Sequence, residues 1–135
     1  DQTMTALLPT GWPRPRGYAN GVTASGRMVF VAGMIGWDEA GRFAGDDIAS
    51  QARQALANVV AVLAAGGAEP RHLVRMTWYV TDKRAYLAAA REIGRAYRDL
   101  IGHYDVAMAA VEVSALIEDR AVVEIEATAV IPDGA

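Results

Sequence analysis

A chain of 135 residues suffices for one domain that buries roughly two thirds of the surface its unfolded form exposes. A net charge of -3 and an isoelectric point near 5.3 argue against the broad positive surface that duplex nucleic acid demands, and zero cysteines exclude disulfides, thiolate catalysis and cysteine-held metals. The hydrophobic fraction is high at 53%, yet even the run from Ala55 to Ala68 is shorter than the ~20 residues of a membrane span and is broken by Asn58, Gly66 and Gly67, so a soluble protein with no membrane partner is expected.

Asp1, Gln2 and Thr3 precede Met4 and read as an expression remnant, with the native start expected at Met4. No basic-then-apolar signal pattern follows, and a cytoplasmic location is expected. Residues 1–17 are predicted to form an extended N-terminal arm, because Pro9, Pro13 and Pro15 with Gly11 and Gly17 suit neither a helix nor a central strand. A short strand from Tyr18 to Ala24 and an apolar one from Met28 to Ile35 are predicted to make a hairpin about Ser25-Gly26. A loop from Asp38 to Gly45 leads to Asp46 and Asp47, either of which can cap the helix that follows. In that helix Ile48, Ala52, Ala55, Leu56, Val59, Val62 and Leu63 recur at three- and four-residue intervals, and Gly66-Gly67 ends it.

Val74, Met76, Trp78 and Val80 then alternate with Arg75, Thr77, Tyr79 and Thr81, the period of a strand with one face on a core. A second helix is predicted from about Lys83 to near Gly102, turning Tyr86, Leu87, Ala90, Ile93, Gly94 and Tyr97 inward. Two last strands, Ala107 to Ala115 and Ala121 to Val130, are predicted to form a second hairpin through Glu118-Asp119-Arg120. The order ββαβαββ implies a two-layer α+β sandwich. Its open sheet face is predicted to carry Met108, Ala110, Val122 and Val130, too much apolar surface to leave wet, which points to an oligomer without choosing dimer or trimer.

Five landmarks in order carry a resemblance: Gly17-Tyr18-Ala19-Asn20-Gly21, Val29-Phe30-Val31-Ala32-Gly33, the run from Gln51 to Val59, Val111-Glu112-Val113, and Val123-Glu124-Ile125-Glu126-Ala127. With these the chain resembles the Rid (YjgF-like) family of enamine/imine deaminases from about Gly17 to Ile131, which places a Rid-like domain of chorismate-mutase-like α+β class at residues 18–135. The resemblance implies a homotrimer with a central barrel and a small-molecule ligand in each intersubunit cleft. In the deaminase branch a cleft arginine holds the carboxylate of an enamine or imine, and water releases ammonia with no metal or organic cofactor.

Carried over residue by residue, Tyr18 matches the cleft tyrosine, Gly33 the glycine after the strand, and Glu124 the acidic residue that orients or activates water. The deaminase branch has Pro-Ala-Arg-Ser before its Val-Glu-Val; the aligned residues here are Val106-Ala107-Met108-Ala109, so Met108 replaces the arginine. Ala32 and Met34 replace the serine and glutamine flanking the glycine. A thioether cannot supply the paired charge-assisted hydrogen bonds of a guanidinium, so a substrate held less by its carboxylate and more by an apolar or aromatic body is expected, with Trp37 and Met34 as wall residues.

Without the resemblance Glu124 reads first as a solvated or salt-bridged strand carboxylate, and only with it does a general acid/base role stand level; Glu126 reads as the structural partner of an arginine. His72 and His103 have no metal-ligand spacing and are expected at the surface. Arg14 and Arg16 could supply the charge that Met108 lacks. The expected function is thus a cofactor-free Rid-like hydrolase. The alternative is a non-catalytic metabolite-binding or regulatory trimer, with single-stranded RNA cleavage last because no basic-aromatic groove pattern is present.

Overall fold

A computed structural model of the chain describes residues 4–134, so the expected remnant at residues 1–3 lies outside the described residues. The first long helix forms where its stripe predicts. In α1, Ile48–Ala65, the buried residues are Ile48, Gln51, Ala52, Ala55, Leu56, Val59 and Leu63. Asp47 is the cap: its carboxylate accepts from the Ser50 amide at 3.0 Å and the Ser50 hydroxyl at 2.6 Å, satisfying a helix donor that would otherwise be orphaned. At the other end the Gly66 amide donates to the Val62 and Leu63 carbonyls, and Gly67 turns the chain at φ 80°.

The sheet has the order β3-β6-β4-β5, from β3 Arg27–Ile35, β4 Leu73–Val80, β5 Ala107–Glu112 and β6 Val123–Ile131. Strand β6 runs antiparallel to both β3 and β4, and β5 runs parallel to β4 at the edge. Two shorter helices, α2 Lys83–Ala88 and α3 Ala90–Leu100, join α1 in the other layer. The core lies between the layers, where Leu56, Val59 and Leu63 of α1 meet Leu73, Met76, Val123 and Ile125. The α+β two-layer class is therefore as the sequence implies.

Strand pairing differs from the sequence expectation in two places. The last two strands are not a hairpin, because β6 sits between β3 and β4 while β5 pairs only with β4. Glu118-Asp119-Arg120 lacks the Asn-Gly chemistry of a tight turn, and β6, buried along its whole inner face, suits the sheet centre better than alanine-rich β5. Likewise β2, Gly21–Ala24, pairs with β1, Met4–Leu7, in a separate ribbon rather than with β3. Met4–Leu7 holds no breaker, so this part of the expected arm is free to pair, and the proline-rich stretch after it brings the chain back.

The second helix is stepped at Ala89 into α2 and α3, although the Ala89 amide still bonds to the Ala85 carbonyl. Nothing in the sequence marks this step. Asp82 caps α2 through the Arg84 and Ala85 amides. The composition of the open face also needs correction. Met108 and Ala110 register with Met76 and Trp78, so they share the helix-covered side, because β5 follows β4 in parallel and not β6 in antiparallel. Val122 precedes β6 and packs against the core. The open face is still apolar in part, through Phe30, 70% exposed, and Met28, 53% exposed. No described helix is long and apolar enough to cross a membrane.

Candidate functional site

Polar side chains of the landmark helix turn out to be braces. Gln51 is fully buried; its amide nitrogen donates to the Gly45 and Arg120 carbonyls at 3.0 Å and its oxygen accepts from the Val122 amide at 2.9 Å. Asn58 donates to the Ile35 and Trp37 carbonyls at 3.0 and 2.8 Å. Together they fix the end of β3 and the entry to β6 against α1, and these two strands carry one candidate cluster.

On the open face, β3 and β6 fall out of register between Val31, paired with Ala127, and Met34, paired with Ile125. Ala32 and Gly33 occupy this bulge, where backbone groups leave the ladder and the strand twists. The Glu124 carboxylate lies directly over Gly33: a β-carbon there would collide with Oε2 and come 2.7 Å from Cδ. Beside it, the Tyr79 hydroxyl donates to Glu126 Oε1 at 2.6 Å, and this bond, with burial, raises the tyrosine pKa. Glu126 is therefore the partner of Tyr79 and not of an arginine. Among the described residues the Glu124 carboxylate has no hydrogen-bond or ion-pair partner, so of the two acids only Glu124 is free for a ligand or water.

A second cluster lies on the helix side. The Ala19 amide donates to the Val106 carbonyl at 2.8 Å, and Ala19 bridges Ala107, so the arm is stitched to the start of β5. This closes a groove of about 920 Å³ between the arm, the β4–β5 edge and helices α2 and α3, and both Tyr18 and Met108 line it. Trp78 and Tyr86 form an edge-to-face pair at 6.3 Å within its wall. Burial pushes the Tyr97 hydroxyl up to about 12. Arg14, Arg16 and His103 also line the groove.

The structure thus brings Ala32, Gly33 and Glu124 together on one face of the sheet and Tyr18 and Met108 together on the other. Within one chain the two sets do not meet. Trp37 packs on Phe43 at 5.9 Å and Met34 on the core, both away from the groove. His72 is buried, at 3% exposure, with Nδ1 accepting from the Glu69 amide at 3.0 Å, which corrects its expected surface position; it ends a 3-10 turn, Pro70–His72, that lies against β6. Tyr79, Trp78 and Tyr97 were not singled out from sequence as site residues. Strand alternation does place Tyr79 outward beside Glu124, but no pattern announces a buried donor without a partner. Among the described residues no group of three or more His, Asp or Glu side chains is placed to hold a metal.

A sequence profile described as Endoribonuclease L-PSP matches residues 13–131. A RutC family protein of Pyrococcus horikoshii is 33% identical over 118 residues, which is 87% of this chain and 90% of that protein. YyfB of Yersinia pestis, described as a Rid-family protein of unknown function, superposes with a TM-score of 0.83 at 31% identity, covering 96% of this chain and 99% of that one. TdcF of E. coli, solved with bound serine, superposes with a TM-score of 0.69 at 29% identity over 94% of this chain and 98% of that one. With a matching profile over most of its length and a shared fold, the chain belongs to the Rid (YjgF-like) family, whose profile carries the description Endoribonuclease L-PSP.

Proposed function

We propose that this chain is a cofactor-free hydrolase of the enamine/imine deaminase type, acting in the cytoplasm as a homotrimer on a small imine bound through an apolar body. The observation that carries this reading is the unpartnered Glu124 carboxylate over Gly33, beside a Glu126 that is already engaged by Tyr79. Water held by Glu124 adds to the imine carbon as the carboxylate takes its proton, giving a carbinolamine. That proton passes to nitrogen to complete the carbinolamine; Glu124 then takes the hydroxyl proton and delivers it to nitrogen, so that the C–N bond breaks, ammonia leaves, the oxygen lone pair forms the carbonyl and the carboxylate is restored. Backbone groups at the Ala32–Gly33 bulge are available to hold the substrate, since the register shift takes them out of the ladder.

The same placement supports a trimer. Tyr18 and Met108 lie at the β5 edge and Glu124 on the open face, so a cleft that uses both sets is completed where the edge of one copy meets the open face of the next. Exposed Phe30 and Met28 support burial of that face. Met108 at the position of the family arginine supports an apolar substrate body over a carboxylate-anchored one.

The test is ammonia release from a panel of imines generated in place by an amino-acid oxidase. Turnover of imines with bulky apolar side chains, faster than that of the small ones, is the expected result. A natural protein no faster than buffer on every imine, beside an Ala32→Ser/Met108→Arg double variant that turns over, sinks the proposal. Met108 favours one second reading, a trimer that binds a small molecule without converting it; its signature is ligand-dependent thermal stabilisation with no product. RNA cleavage is not proposed, because Glu124 and Glu126 make the open face repel a phosphodiester.

A further inference from the structure

The open face sets two acids side by side with a tyrosine next to them. Period two turns Glu124 and Glu126 of β6 to the same side, about 7 Å apart along the strand. Across β4 the register places Tyr79 opposite Glu124, Thr77 opposite Glu126 and Arg75 opposite Thr128. Tyr79 does not bond to the acid it faces. Its hydroxyl leans along the diagonal and donates to Glu126 Oε1 at 2.6 Å, the short distance of a hydroxyl bonded to a charged carboxylate.

Few other charges look onto this row. Arg75 is exposed and makes no ion pair among the described residues. Arg27 of β3 donates to the Gly66 carbonyl in the helix layer, and Arg120, ahead of β6, is held by Asp46 at 2.8 Å. On β5, Ala107, Ala109 and Val111 register with Arg75, Thr77 and Tyr79, while Glu112 accepts from the Lys83 amide at 2.7 Å. The titratable groups that face the two acids from the neighbouring strands are therefore Tyr79 and Arg75.

Two free carboxylates at this spacing can lean together and share one proton, and a base that shares a proton is no longer open to water. We propose that Tyr79 is a positioning residue: by holding Glu126 along the diagonal it keeps the second carboxylate off Glu124, so that Glu124 meets water and proton alone. The use of Glu124 as a base rests on the hydrolase reading; the separation of the two acids does not. The hydrogen bond to Glu126, then burial and the charges of Glu126 and Glu124, outweigh Arg75 and raise the Tyr79 pKa, so the hydroxyl keeps its proton wherever the acids titrate.

The test follows the two carboxyl carbon-13 resonances with pH in the full chain labelled at glutamate, assigned by their loss in Glu124→Gln and Glu126→Gln. In the natural protein each resonance is expected to move in one step. In Tyr79→Phe, which keeps the ring and removes the hydroxyl, both are expected to move in two steps, as coupled acids do. Turnover of one bulky apolar imine is read beside this. Tyr79→Phe is expected to lower kcat about tenfold at nearly unchanged KM, as when roughly nine molecules in ten hold the shared proton. The double variant Tyr79→Phe/Glu126→Gln is expected to recover the rate of Glu126→Gln, because the competing acid is gone; a tyrosine that only packs gives no such rescue. Two-step movement in the natural protein, one-step movement in folded Tyr79→Phe, or, in an active protein, no rescue by the double variant would each overturn the proposal. The titration needs no substrate, so a natural protein without turnover whose resonances behave as expected sinks the hydrolase reading alone.

Discussion

Glu124 lies over Gly33 so closely that a β-carbon at position 33 requires the carboxylate to move. Ile35 and Tyr79 flank Glu124 in the sheet. Gly33→Ala is expected to push the carboxylate out of place and to cost about 1–3 kcal/mol through overpacking. Urea unfolding reads the stability loss, and imine turnover is expected to fall in the same variant. If Gly33→Ala retains full turnover, the close approach has no part in the chemistry.

Gln51 is the buried brace between α1 and the segments that carry the site. Gln51→Leu keeps the volume and leaves the Gly45 and Arg120 carbonyls and the Val122 amide without their partner. A destabilisation of about 2–4 kcal/mol is expected from unsatisfied buried groups, measured as a lower urea midpoint at unchanged slope.

Asp47 couples helix capping to pH. The Ser50 hydroxyl and amide hydrogen bonds hold its carboxyl below the usual aspartate range. A lowered folded pKa means that the contribution is present above the unfolded value near 3.8 and is lost as pH falls through the folded value. Asp47→Ala is expected to cost about 1 kcal/mol near neutrality and to flatten the acid limb of the stability profile, which thermal melts across pH will show.

His72 acts in the opposite range. Burial, then the Arg71 charge, lower its pKa, against a smaller opposing effect of Glu69. The unfolded chain therefore takes up the proton first, so stability is full above the unfolded value near 6.5 and declines as pH falls below it toward the folded value. In His72→Asn this decline is expected to vanish, while a variant at exposed His103 keeps it. Urea midpoints on either side of pH ~6.5 decide the matter.

The parts of the fold set by local chemistry were legible in the sequence. The α1 stripe matches its buried face almost residue for residue, Asp47 caps it, and the alternation of Val74 to Thr81 gives the correct inner face of β4. Strand partners were not legible, because β-pairing is chosen by distant segments: β6 takes the central slot since its whole inner face can be buried, and β5 is left to the edge. That choice also decided the side on which Met108 points, since period two separates two faces without saying which one the helices cover. Ala32, Gly33 and Glu124 were readable as candidates from the family pattern. Their closeness depends on a bulge that no residue type signals, and the unpartnered donors of Trp78 and Tyr97 depend on what the folded chain fails to place beside them.

The central claim is that Glu124, and not its neighbour Glu126, handles the water. The most direct measurement is the rate of ammonia release from one bulky apolar imine by the natural protein, Glu124→Gln and Glu126→Gln, each shown to be folded. Loss of at least about a hundredfold in Glu124→Gln, the usual scale for a general acid–base group, with a much smaller loss in Glu126→Gln, is the result expected. Equal rates for the natural protein and Glu124→Gln, or a greater loss in Glu126→Gln, would contradict the account.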